Sequence, residues 1–179
     1  MNLTLSRLNV FDLPTEEDTM TEGTMIADGL FGLDWEAWFS IGGSLAALGW
    51  LILILAPRRW AALNIVPAYI IPAILSIGYS TLILLYFGEG EGGFGTLAAV
   101  AALFETMPLL LAGWIHYLAF DLFVGAWIAR RADVVGLHRI LQAPILFATF
   151  MLGPLGLLVY LATEQCMTRL LGTSTYAKA

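Results

Sequence analysis

Charge is scarce in this chain. Asp, Glu, Lys and Arg together make up 12% of its 179 residues, about half the share usual in a soluble domain. Cysteine is scarcer still: Cys166 stands alone, which excludes an intrachain disulfide and any cysteine metal cluster. With only two histidines, His116 and His138, and the second in a connecting loop, no metal site is expected. Eight Lys and Arg residues form no basic stripe, so nucleic acid is not an expected partner. The glycine-rich stretch "GEGEGGFG" has no Lys-Ser/Thr and is acidic, unlike a phosphate loop. The opening "MNLTLSRLNVFDLPTEEDTM" has no continuous apolar stretch and turns acidic early, unlike a signal peptide.

Apolar sequence fills the space that charge leaves. The chain is 59% hydrophobic, with a mean hydropathy of +0.82. Spanning a bilayer takes about 20 apolar residues. Uncharged runs over 37–57, 60–88 and 140–163, and a further span over 107–129, predict four crossings. Strand alternation is absent, so the spans are helical, because backbone groups in lipid must be satisfied within the segment. The expected fold class is all-α: a polytopic membrane protein with a four-helix transmembrane bundle, one domain over residues 35–165. Before the third span, "FGTLAAVAALFE" (94–105) is too short to cross and reads as a short interfacial or re-entrant helix, with Pro108 opening the helix that follows. Residues 1–34 read as an acidic N-terminal tail, either mobile or folded as a lid, and 166–179 as a C-terminal tail.

Arg58, Arg59, Arg130, Arg131 and Arg139 fall between spans one and two and between spans three and four. The positive-inside rule puts those loops in the cytoplasm. The expected localisation is therefore a bacterial inner membrane with both termini on the periplasmic side. Pro67, Pro72, Pro144 and Gly153–Pro154 lie inside spans, and such breaks often border a cavity. Small residues in "SIGGSLAALG" allow close helix packing.

The third span carries the chemistry. "WIHYLAFDLFVG" (114–125) holds a histidine and an aspartate within an apolar run. At about 100° and about 1.5 Å per residue, His116 and Asp121 stand about 140° apart and about 7.5 Å apart in depth, so each needs its own partner. Asp121 shares a face with Trp114 and Tyr117; Glu105 is nearly in phase with His116. Burying charge there costs at least about 2.5–3.5 kcal/mol, so both are expected to point into the bundle. One reading is a structural clamp: Asp121 to a hydroxyl such as Tyr79 or Ser80, His116 to a carbonyl freed by proline. The other is proton chemistry or polar ligand contact, with His116 and Asp121 as catalytic residues and Trp114, Tyr117, Tyr79, Ser80 and Glu105 lining the ligand.

"AGWIHYLAFDLFVGAWIARR", followed by "FMLGPLGLLVYL", resembles the abscisic-acid-deficient-4-like family, over about residues 35–163. The resemblance implies action on a carotenoid. In the plant members that reaction isomerises violaxanthin: an epoxide opens, a proton leaves the polyene and an allene forms, with no redox cofactor required by stoichiometry. Such a reaction needs an acid at the epoxide oxygen and a base at carbon, and either His116 or Asp121 fits either role. The expected partners are the lipid bilayer, a carotenoid or related polyene, and a membrane-protein partner or a second copy of the chain. A carotenoid isomerase thus stands beside a non-catalytic carotenoid-binding or complex-assembly subunit. A third reading is a proton-coupled carrier, for which no repeated halves are visible.

Overall fold

The computed structural model describes residues 29–88 and 92–171. Residues 1–28 of the expected N-terminal tail over 1–34, and residues 172–179 of the expected C-terminal tail over 166–179, lie outside them. Among the described residues six helices follow in order: α1 (Trp35–Leu55), α2 (Ala61–Tyr86), α3 (Leu97–Leu103), α4 (Met107–Val134), α5 (Arg139–Leu152) and α6 (Pro154–Leu171). Among the described residues the only β-type pairing is an isolated bridge, Leu30 to Leu33. The all-helical class is as the sequence predicts. Three helices, α1, α2 and α4, are long and apolar enough to cross a membrane.

Each start has a local cause. The Asp34 carboxylate accepts from the Ala37 N–H at 2.6 Å and caps α1, and the Trp38 indole N–H donates to the Leu30 carbonyl at 2.9 Å, tying the preceding turn to the helix. Thr96 caps α3 by accepting from Ala99 at 3.1 Å. Pro108 sits in the first turn of α4, where its missing N–H costs nothing. In α2, Val66–Ile70 winds as a π segment. Pro72 has no N–H for the ladder, and the Ile71 N–H bonds back five residues to Val66, the re-registration by which a π-bulge absorbs such a loss.

The centre of the molecule is α4, half of whose apolar window is buried, against 28% for α1 and for α2. It packs on α1, α2, α5 and α6. Gly49 of α1 lies where a Cβ would come 2.6 Å from Leu122, and Gly125 of α4 receives the Trp50 indole in the space a side chain would take. Gly42 and Gly49 of α1 thus face α4, while Gly43 meets nothing.

The expected fourth span is where the structure differs. Residues 140–163 do not form one crossing helix: the chain reverses at Gly153–Pro154. Gln142 near the start of α5 donates to Asp133 at 2.8 Å, and Phe150 near its end lies beside Tyr117. The next helix runs back: Tyr160 stacks edge-on with Trp127 at 5.7 Å, and Glu164 pairs with Arg131 at 2.6 Å. Side chains on α6 therefore meet α4 in parallel, while α5 meets it antiparallel. The turn is tight enough that a side chain on Gly156 would overlap the backbone of Thr149. A positive φ of 35° at Gly153 and the missing N–H of Pro154 explain why the helix stops here rather than bending. With 14 residues, α5 rises only about 21 Å, short of the ~30 Å hydrocarbon core. The four-helix bundle is corrected on this point: the last expected span is a returning helix pair, whose second arm runs past residue 165 to Leu171.

Candidate functional site

The structure sends His116 and Asp121 to different partners. The His116 ring stacks on Phe120 of its own helix at 4.5 Å and lies 5.4 Å from the ring of Tyr79 on α2. It is exposed on the protein surface, not directed into the interior as expected. A ring stack satisfies one face of an imidazole without burying it. His116 lines a groove of about 280 Å³ together with Tyr79, Ile83, Phe104 and Gly113. Phe104, just past α3, lies on Gly113, where a Cβ would stand 2.6 Å from its ring. The short α3 segment thus covers one end of this groove.

A second depression of about 300 Å³ continues along the same α2–α4 seam, lined by Tyr69, Pro72, Ser76, Ala119, Phe120 and Phe123. The two meet at Phe120, which lines the second and stacks on the histidine of the first. From Leu109 to Phe123 along α4 the seam runs roughly 21 Å at the helical rise. The π segment borders it, since Pro72 follows that segment directly, in keeping with the cavity-bordering role expected of proline breaks.

Asp121 sits on the other flank of α4, against the α5–α6 reversal. A Cβ on Gly153 would stand 2.7 Å from both carboxylate oxygens. Asp121 Oδ2 is buried without a hydrogen-bond partner. The Tyr117 hydroxyl donates to the carbonyls of Phe150 and Met151, at 3.4 Å and 3.5 Å, and interacts electrostatically with the carboxylate four residues on. A hydroxyl has one proton to give, so the two carbonyls and the neighbouring carboxylate compete for it. The Phe150 carbonyl is the one that Pro154 leaves without a helical N–H. This is the clamp of the sequence reading, with its members exchanged: the tyrosine is Tyr117, one turn before Asp121, and not Tyr79, and the proline-freed carbonyl faces Tyr117, not His116. The four-residue spacing on one face was its visible signal.

The remaining candidates fall apart spatially. Trp114 stacks on Tyr117 at 5.4 Å and on Phe39 of α1 at 5.3 Å, so it belongs to the Asp121 flank. Ser80 turns its hydroxyl back to the Ser76 carbonyl at 2.8 Å. Glu105 is exposed in the turn between α3 and α4. Among the described residues no three His, Cys, Asp or Glu side chains stand together as a metal would require. Sequence reasoning missed Phe104; Gly113, one turn before His116 on the same face, was the only trace of it.

The family model described as ABA DEFICIENT 4-like matches residues 37–160, which takes in α1, α2, α3, α4, α5 and the start of α6. No curated protein and no solved structure matches the chain.

Proposed function

Since the chain belongs to the ABA DEFICIENT 4-like family, we propose that it is a membrane protein that holds a carotenoid-type polyene along the α2–α4 seam and isomerises it there, with His116 as the proton-handling group. The observation that carries this reading is the seam itself: a long, narrow, apolar depression, on a surface that faces lipid, with an imidazole on its wall. A linear isoprenoid arrives from the bilayer and needs a site open sideways to it. Apolar walls with a few placed polar groups are the usual make-up of a small-molecule site.

The same groove offers two groups for one proton transfer. His116 accepts the proton leaving the polyene carbon, and the Tyr79 hydroxyl beside it donates to the epoxide oxygen as the C–O bond breaks. The new double bond takes the electron pair of the C–H bond, so no oxidant or reductant is consumed. In this reading Asp121 and Tyr117 do not touch the polyene; they fix the α5–α6 reversal against α4. Trp114 supports that flank, while Ser80 and Glu105 line neither depression of the seam.

The membrane arrangement follows the same helices. α1, α2 and α4 cross, α3 lies at the interface covering the groove, and α5–α6 enters from the arginine side and returns to it. The pairing of Arg131 with Glu164 supports that return. The N-terminal end then lies outside the cytoplasm and the C-terminal end with the arginines, in place of both ends outside.

The deciding experiment is pigment analysis of cells with and without the protein, together with the pigment that co-purifies with it in mild detergent. A changed pigment profile that disappears in His116→Ala supports the isomerase. A co-purifying pigment with an unchanged profile replaces it with a carotenoid-binding subunit, and the absence of pigment in both measurements overturns the seam as a polyene site.

A further inference from the structure

At the arginine end of the α2–α4 seam the structure has a second, chemically different depression. It holds about 320 Å³ and is lined by Arg58, Asn64, Tyr69, Arg130 and Asp133 above an apolar floor that includes Leu53 and Ala126. Three guanidiniums gather here against one carboxylate. Arg58 Nε pairs with Asp133 Oδ2 at 3.2 Å, and its Nη1 donates to Asn64 at 3.3 Å, while its Nη2 is buried without a hydrogen-bond partner. Arg130 lies over the Tyr69 ring at 5.5 Å, so its charge is held at the mouth of the depression rather than swinging free. Arg139 stands close enough to Arg58 to repel it, although its own donors go to the Ile54 and Ala56 carbonyls.

Asp133 does not balance this charge. Its Oδ1 accepts from the Gln142 side chain at 2.8 Å and its Oδ2 is taken by Arg58, so it serves to orient Arg58 and has no second cation to neutralise. Burial lowers the pKa of Arg58 from its ordinary value; Asp133 opposes the shift, and Arg139 and Arg130 add to it. An uncompensated cationic depression at the mouth of an apolar seam is suited to an anion, and guanidinium forks match phosphate oxygens in particular.

We propose that the Arg58–Arg130 depression is a binding site for a phosphate-type anion at the membrane surface, either the headgroup of an anionic phospholipid or free phosphate. Arg58 Nη2 and the Arg130 guanidinium supply the donors. The apolar floor would take the first methylenes of a lipid chain. Basic pockets between membrane helices at the cytoplasmic surface bind anionic headgroups on this principle. The site shares no lining residue with the His116 groove, and it meets the second depression of the seam at Tyr69.

The test uses the full chain in detergent and in vesicles. Protein reconstituted in mixed phosphatidylcholine and phosphatidylglycerol is extracted gently, and the retained lipid is identified by native mass spectrometry; inorganic phosphate binding is measured separately by titration in neutral detergent. Retained phosphatidylglycerol in excess over its share of the vesicle, falling about fivefold in Arg130→Gln, supports the lipid headgroup. Phosphate binding without lipid selection, lost in the same variant, supports free phosphate. Arg130 holds no ion pair with Asp133, so this variant keeps the fold that Arg58→Gln endangers. Arg59→Gln is the control, since Arg59 is exposed outside the depression. If Arg59→Gln reduces binding as much as Arg130→Gln, or if neither lipid selection nor phosphate binding is found, the site is overturned.

Discussion

The carboxylate of Asp121 rests on the α-carbon of Gly153, so close that a methyl group there would stand 2.7 Å from both of its oxygens. One residue comes from the middle of the central helix and the other from the point where the last helix pair reverses. The contact accounts for both: glycine permits the positive φ of the turn, and its bare α-carbon admits the aspartate.

Gly153→Ala should therefore destabilise the protein by on the order of 1–3 kcal/mol for the backbone conformation alone, with the steric overlap added. Thermal unfolding in detergent measures it. The double variant with Asp121→Ala should recover the steric part and leave the backbone part. Equal losses in the single and double variants would mean that the two residues do not interact.

Tyr117→Phe removes the one donor shared between the Asp121 carboxylate and the α5 carbonyls. We expect a loss of roughly 1–2 kcal/mol in the same assay, with the pigment profile intact in the folded fraction. A normal melting temperature would show that the hydroxyl carries no clamp.

His116→Ala and Tyr79→Phe should behave in the opposite way. His116 is exposed, and its neighbours are ring faces, so its loss should cost less than about 1 kcal/mol while abolishing the pigment change. Unfolding of His116→Ala, or full activity in a folded sample, speaks against the groove as the reacting site.

Arg139 donates to the Ile54 and Ala56 carbonyls at 3.0 Å and 2.8 Å, closing the C-terminal end of α1. Arg139→Gln should cost about 1.5–3 kcal/mol, the usual contribution of hydrogen bonds to a charged group. Amide exchange at the α1 C-terminus, faster in the variant than in the parent, would place the loss there.

The returning helix pair fixes an expectation for topology. A fluorescent protein fused to the C-terminus should fold and fluoresce on the arginine side in a bacterial inner membrane, and a phosphatase fused there should be inactive. An active phosphatase would restore a full fourth crossing.

What the sequence determined by itself was whatever depends on local composition. Apolar runs of spanning length gave α1, α2 and α4 because backbone groups in lipid must be satisfied within the segment, and Pro108 placed the start of α4 because a first helical turn tolerates proline best. The glycines of "SIGGSLAALG" announced a close approach, though not that Leu122 would fill it. Tertiary structure decided the rest. Gly153–Pro154 is compatible with a kink or a reversal; the choice rests on Phe150 meeting Tyr117 and Glu164 meeting Arg131, partners remote in sequence. The side on which His116 lies was equally hidden. In a membrane helix the lipid face is as apolar as the buried one, so periodicity separates His116 from Asp121 without saying which of them meets lipid and which meets protein.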